Sequence, residues 1–325
     1  MHNKREMRRP IIKMFCGLVF FAAPWLAALA AAADAAAAVT VPTSTAPARV
    51  QPHRGALFKV AGAGHTLYLF GTIHVGAPDF FPLEPVVAGA LQHAGALALE
   101  VDPNGDQTAA FNAVRKYGMR TDGSSAQAAI RPELRPRLDA LIKQYGLTPA
   151  QVAPMKPWML ASVLAIGEFQ EQGYKSELAV DSYLSAQAHQ RGIPVLELES
   201  VASQLALLDS MTAPQQVQFL EDSINAIDDK TQGMQAQEIA DAWRTADTKA
   251  LDALAAELAA DQTFSGQFMQ HQLLEERNPH LADGIAGLLK RESNSVAAIG
   301  VMHLIGSGSV PQLLRQRGLK VERVY

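Results

Sequence analysis

Leu67-Tyr68-Leu69-Phe70-Gly71-Thr72-Ile73-His74 and Val296-Ala297-Ala298-Ile299-Gly300-Val301-Met302-His303 are one phrase written twice, near opposite ends of the chain. Each copy is an apolar run of four followed by Gly-x-x-His. Four β-favouring residues punctuated by glycine predict a buried strand ending in a turn. Glycine there permits a backbone angle, or a close approach, that a Cβ would forbid. The histidine three residues on is then delivered just past the strand end, where open α/β sheets place their ligands. Two such devices, with Gly71 and Gly300 at their turns, 229 residues apart, can bring His74 and His303 to one site. A single histidine after a strand is more often structural; the repetition is what points to function.

Working outward, residues 57–60 and 66–70 read as a hairpin feeding the first phrase, 96–101 as a third strand and 193–198 as a fourth. Residues 296–299 and 320–324 close the chain as strands. Between them the pattern is helical: 133–145 is amphipathic and closed by Gly146, and 179–190 is stopped by Gly192 with Pro194 beyond. Residues 200–291 are nearly all of helical pattern, with breaks near Pro214, Gly233, Asp261 and Pro279. Strands near both termini and helices in the middle predict an α/β fold: a mixed β-sheet with a large helical portion packed over one side. No repeat of solenoid period is present.

A hydrophobic content of 48% is ample for a core, and 18% charged residues is low for a disordered chain. The first residues are of another kind. Lys4, Arg5, Arg8, Arg9 and Lys13 precede an uncharged stretch that ends in alanines, so residues 1–33 read as a secretory signal peptide. The alternative is an uncleaved membrane anchor. Residues 34–52, mostly Ala, Thr, Pro and Ser, read as a disordered linker, leaving one domain over 53–325. The lone Cys16 lies in the leader, so the mature protein uses no disulfide. Removing residues 1–33 takes five basic residues and one acidic one, leaving a net charge of −8. That balance argues against nucleic acid, and no later stretch is long enough for a stable membrane span.

Several residues are candidates for chemistry. Glu100 sits in an apolar run, and a carboxylate facing a core must be paired, hydrogen-bonded or metal-bound; the alternative is the solvated face of its strand. Glu197 and Glu199 flank Leu198 and would share one strand face. Asp181 stands at a helix start, where it is a good cap. Arg277-Asn278 could clamp a carboxylate or phosphate, or form an ordinary turn before Pro279. Gly306-Ser307-Gly308-Ser309 could cradle an anion or merely cap the next helix. His53, His65, His93, His189, His271 and His280 read as surface residues. The H-E-x-x-H, P-loop and G-x-S-x-G signatures are absent.

The residues resemble the TraB/PrgY/GumN family, related to the Tiki metalloproteases, over nearly all of the mature chain. The resemblance rests on the Leu-Phe-Gly-Thr-Ile-His-Val-Gly opening, Leu99-Glu100-Val101-Asp102 and Lys156-Pro157-Trp158. It continues through Val180-Asp181 with Leu184 and Ala188, Leu198-Glu199-Ser200 with Gln204, Arg277-Asn278, and the closing Gly300-Val301-Met302-His303-Leu304-Ile305-Gly306. Ala179 stands where the family often has Gly. The resemblance implies divalent-metal-dependent peptide hydrolysis, with His74 and His303 as ligands and Glu100 as third ligand or general base. Glu199, Arg277 and Asn278 would then orient ligands or substrate. The ligand types suit manganese, cobalt or zinc without deciding among them. Two other readings stay open: a periplasmic protein that sequesters a peptide or haem, and an accessory of polysaccharide assembly. The expected location is the periplasm or the exterior.

The leader carries its own test. N-terminal sequencing of the exported product is expected to begin between residues 31 and 39; a membrane-bound product beginning at Met1 would show an uncleaved anchor.

Overall fold

The computed structural model describes residues 52–325; the leader and almost all of the linker lie outside the described residues. Six strands form one mixed sheet: β1 (Leu57–Gly62), β2 (His65–Thr72), β3 (Ala96–Leu99), β4 (Val195–Glu197), β5 (Asn294–Gly300) and β6 (Lys320–Arg323), in the order β4-β3-β5-β2-β1-β6. The four strands β4, β3, β5 and β2 run parallel, and β1 is antiparallel to both β2 and β6. The composition explains the split. Strands β3 and β5 are apolar runs buried on both faces, as internal parallel strands must be. The hairpin β1–β2 turns at Ala63 and Gly64, both at positive φ, the tight two-residue turn whose twist matches its strands.

The central strand is the last parallel one in the sequence. β5 lies between β2 and β3, with Thr72 opposite Gly300 and Leu99 opposite Ala298. The two Gly-x-x-His phrases therefore leave neighbouring strands at the same sheet edge, and Glu100 leaves the next strand beside them.

Helices Pro85–Gln92, Val180–Arg191 and Asn278–Arg291 contact the strands, while the helical middle packs around Pro157–Glu171. That helix is buried from Pro157 through Phe169, apolar on every face, and so belongs inside a bundle rather than at a surface. Trp243 ties the bundle to the sheet: its indole donates to the Gly71 carbonyl at 2.8 Å. Among the described residues no helix is long and apolar enough to cross a membrane.

Three local expectations need correction. The third strand stops at Leu99, so Glu100 and Val101 lie beyond it. Helix Thr231–Arg244 runs straight through Gly233, and the break falls instead at Lys230, which takes the left-handed conformation. Gly233 is there for space: a Cβ would stand 2.3 Å from Glu168 Oε1. The break expected near Pro279 is present, as a turn at Glu276 and Arg277, and the proline sits in the first turn of the next helix, where it forfeits no helical hydrogen bond. Residues 133–145 start as a tight Pro132–Leu134 turn before helix Arg135–Gln144.

The loop carrying His74 is fastened to the segment before helix Val180–Arg191. Gly76 and Lys175 exchange backbone hydrogen bonds of 2.9 and 2.8 Å, and Val180 N–H donates to Ile73 O at 3.1 Å. A Cβ on Gly76 would lie 1.9 Å from Leu178 O. Gly76→Ala must displace this backbone and is expected to cost about 1–3 kcal/mol. Urea unfolding measures it, and an unchanged midpoint would mean that the loop is not clamped there.

Candidate active site

The carboxyl ends of β2, β3, β4 and β5 deliver His74, Glu100, Glu199 and His303 to one buried place. Gly300 is its floor. A Cβ there would lie 3.3 Å from both His74 Nε2 and Glu100 Oε1, and 3.7 Å from His303 Cδ2. The two phrases make room for each other: a Cβ on Gly71 would press Val301 and Leu304 of the second copy at 2.9 and 3.1 Å. Glycine is needed at both positions for close approach, not for a special φ.

Each imidazole is held through Nδ1. His74 Nδ1 pairs with Asp181 Oδ2 at 2.7 Å, and Asp181 Oδ1 accepts from the Thr72 hydroxyl at 2.6 Å. His303 Nδ1 pairs with Asn278 Oδ1 at 2.6 Å, while the Asn278 amide donates to Gly308 O at 3.0 Å. Both acceptors are oxygens, so Nδ1 is the protonated nitrogen and Nε2 the one turned toward the other donors. The electrostatics of the pair differ. Burial resists charging His74, but the Asp181 carboxylate outweighs it and raises the pKa above the ordinary histidine value. Burial together with the Arg277 charge pushes His303 well below that value.

Glu100, 1% exposed, is bound on both oxygens. Oε1 accepts the Gly300 N–H at 2.7 Å; Oε2 accepts from the Arg277 guanidinium and, at 3.3 Å, from Gln204. Arg277 also donates through Nε to Glu199 Oε1 at 2.9 Å and through Nη1 to Leu273 O at 3.0 Å. Gln204 completes the group by donating to Glu199 Oε2 at 2.9 Å. The structure thus gathers His74, His303, Glu100, Glu199, Arg277, Asn278, Gly71 and Gly300 at one sheet edge. It does not make Arg277-Asn278 a clamp for an outside anion, since the guanidinium is spent on two carboxylates and the amide on His303.

Other expectations separate here. Glu197 turns away from Glu199 and accepts the Asp102 N–H at 2.9 Å, because the strand ends at Glu197 and its alternation ends with it. Asp181 is no cap: Ala179 holds that position and helix Val180–Arg191 has no side-chain cap. Ser309 stands at the start of helix Val310–Gln316 without a side-chain cap bond, and Gly308 serves Asn278 instead of an anion. His189, half exposed, pairs with Asp102 at 2.7 Å. Sequence reasoning missed Asp181, Thr72 and Gln204 as members of the group. The available signal was a polar stripe at 181, 185 and 189, one residue per turn along one helix. Arg277 follows a stretch of π-helix, Met269–Glu275, a widened turn that recurs at functional sites and has no sequence signature.

Could the residues hold a metal? Two ligands, each about 2.1 Å from an ion, lie no more than about 4.2 Å apart. Glu100 Oε1 and His303 Nε2, at 3.9 Å, meet that limit, and the His303 nitrogen is buried without a hydrogen bond. Among the described residues no group of three or more His, Cys, Asp or Glu side chains is gathered closely enough to hold an ion as it stands.

The model of the TraB/PrgY/gumN family matches residues 56–323. The uncharacterized protein YbaP of Escherichia coli (strain K12) is 26% identical over 253 residues, 76% of this chain and 87% of its own. YbaP of Shigella flexneri is similar to the same extent. No solved structure matches the chain significantly.

Arg277 carries a stability prediction. Arg277→Met strands two buried carboxylates and is expected to cost about 3–5 kcal/mol in denaturant unfolding. Adding Glu199→Gln should recover part of the loss. A variant as stable as wild type would show that the guanidinium is not what offsets their burial.

Proposed function

Since the chain belongs to the TraB/PrgY/gumN family, we propose that it is a metal-dependent hydrolase of the Tiki-like type, cleaving peptide or protein substrates in the cell envelope. The observation that carries the reading is the convergence of His74 Nε2, Glu100 Oε1 and the His303 ring on the space above Gly300. Each imidazole has its other nitrogen engaged by an oxygen, the arrangement that orients metal-binding histidines.

In this reading His74 and His303 hold a divalent ion through Nε2 and Glu100 through Oε1, manganese, cobalt and zinc all being compatible with the donor set. Once bound, the ion would acidify a coordinated water and polarise the scissile carbonyl. The chain's own residues do the rest. Asp181 and Asn278 orient the rings, and the buried carboxylates exceed the one guanidinium among them, which favours a cation. Arg277 and the Gly300 N–H fix both Glu100 oxygens. That favours Glu100 as a stationary ligand over a base that must swing to collect a proton. The leader would deliver the protein to the periplasm or beyond it.

The test is metal analysis of the mature protein beside its His74→Ala, His303→Ala and Glu100→Gln variants, followed by incubation with a diverse peptide mixture. Wild type is expected to retain one ion and to create new peptide termini read by mass spectrometry. His74→Ala and His303→Ala should lose the ion. Glu100→Gln should bind it more weakly if the carboxylate is a ligand; bound metal with no turnover would make it the base. Stable capture of a peptide or haem without cleavage, under all three metals, would transfer the assignment to a sequestering protein.

A further inference from the structure

Building on that reading, we infer that Asp181 is a positioning residue, its carboxylate fixed by the Thr72 hydroxyl so that it sets the tautomer and direction of His74. Asp181 is 3% exposed, and both of its oxygens are engaged, one by Thr72 at 2.6 Å and one by His74 at 2.7 Å. A carboxylate has only lone pairs to offer, so Nδ1 donates and Nε2 is presented to Glu100 and His303. The placement is not incidental to starting a helix, because Ala179 does that without help from Asp181.

Two further features support the assignment. The backbone that brings Asp181 in is the one fastened to the His74 loop through Gly76, Lys175, Ile73 and Val180. Ring and carboxylate are thus registered by a single clamp. Secondly, the other phrase reaches the same tautomer by different means. His303 finds a neutral amide oxygen, from Asn278 on another helix, at 2.6 Å. Two unrelated solutions to one orientation identify the orientation as the requirement. They also make the imidazoles unequal: an anionic acceptor behind His74 strengthens its other nitrogen as a donor to a cation, and the amide behind His303 does so less.

The experiment uses the mature protein with Asp181→Leu, Asp181→Asn and Thr72→Val. Calorimetric titration with manganese, cobalt and zinc separately gives affinity, and nitrogen-15 NMR of the imidazoles gives the tautomer. Asp181→Leu is expected to weaken metal binding about 10–100-fold and to erase the protonated-Nδ1 signature of His74 while sparing that of His303. Asp181→Asn should keep the tautomer, as Asn278 does for His303, and lose less affinity. Wild-type affinity together with a wild-type tautomer in Asp181→Leu would overturn the role. If Asp181→Leu does not fold, Thr72→Val decides on the same two readouts: weaker metal binding with a diminished His74 Nδ1 signature supports the role, and wild-type values of both overturn it. If wild type takes up none of the metals, the hydrolase reading falls, and the tautomer comparison alone still accepts or rejects Asp181.

Discussion

Glu100 is a carboxylate sealed inside the protein at the end of an apolar strand, and most of the sheet edge is arranged around that fact. An ionised carboxylate cannot stay there without compensating hydrogen bonds and charge. Arg277 supplies the charge, and in turn requires Glu199 and the Leu273 carbonyl to satisfy its remaining donors. Gln204 closes the ring of contacts between the two glutamates. The next residue after Arg277 is Asn278, which holds His303. One helix start thus fixes a carboxylate and an imidazole together, and a shift of that helix would disturb both.

The sheet was legible in the sequence wherever local pattern and tertiary role agreed. Val296 to Ile299 could only be a buried strand, and glycine three residues before a histidine marked both strand ends. Glu100 was legible for the opposite reason, as an ionisable residue in an apolar setting. The failures share one cause. Asp181 is an ordinary residue for a helix start, and its partner lies 107 residues away, so no local rule could separate a cap from a ring support. Gly233 resembled a breaker because the glutamate it accommodates belongs to another helix. The strand alternation assigned Glu197 and Glu199 to one face, and it lapsed with the strand itself.

Repetition of the phrase has a steric meaning beyond symmetry of sequence. On adjacent parallel strands the two turns press into each other: Gly71 yields space to Val301 and Leu304, and Gly300 yields space to the His74 ring. Either glycine replaced by a larger residue would push the partner's loop rather than its own. The copies are therefore mechanically coupled although each histidine has its own support.

The position of β5 bears on how the molecule comes into being. Until residues 294–300 have been made, β1–β2 and β3–β4 have no strand to join them, and one wall of the site does not exist. Contacts of such sequence separation are the slowest to close. A chain that stops before residue 294 lacks the strand that seats between β2 and β3, and with it Gly300 and the second of the two imidazoles.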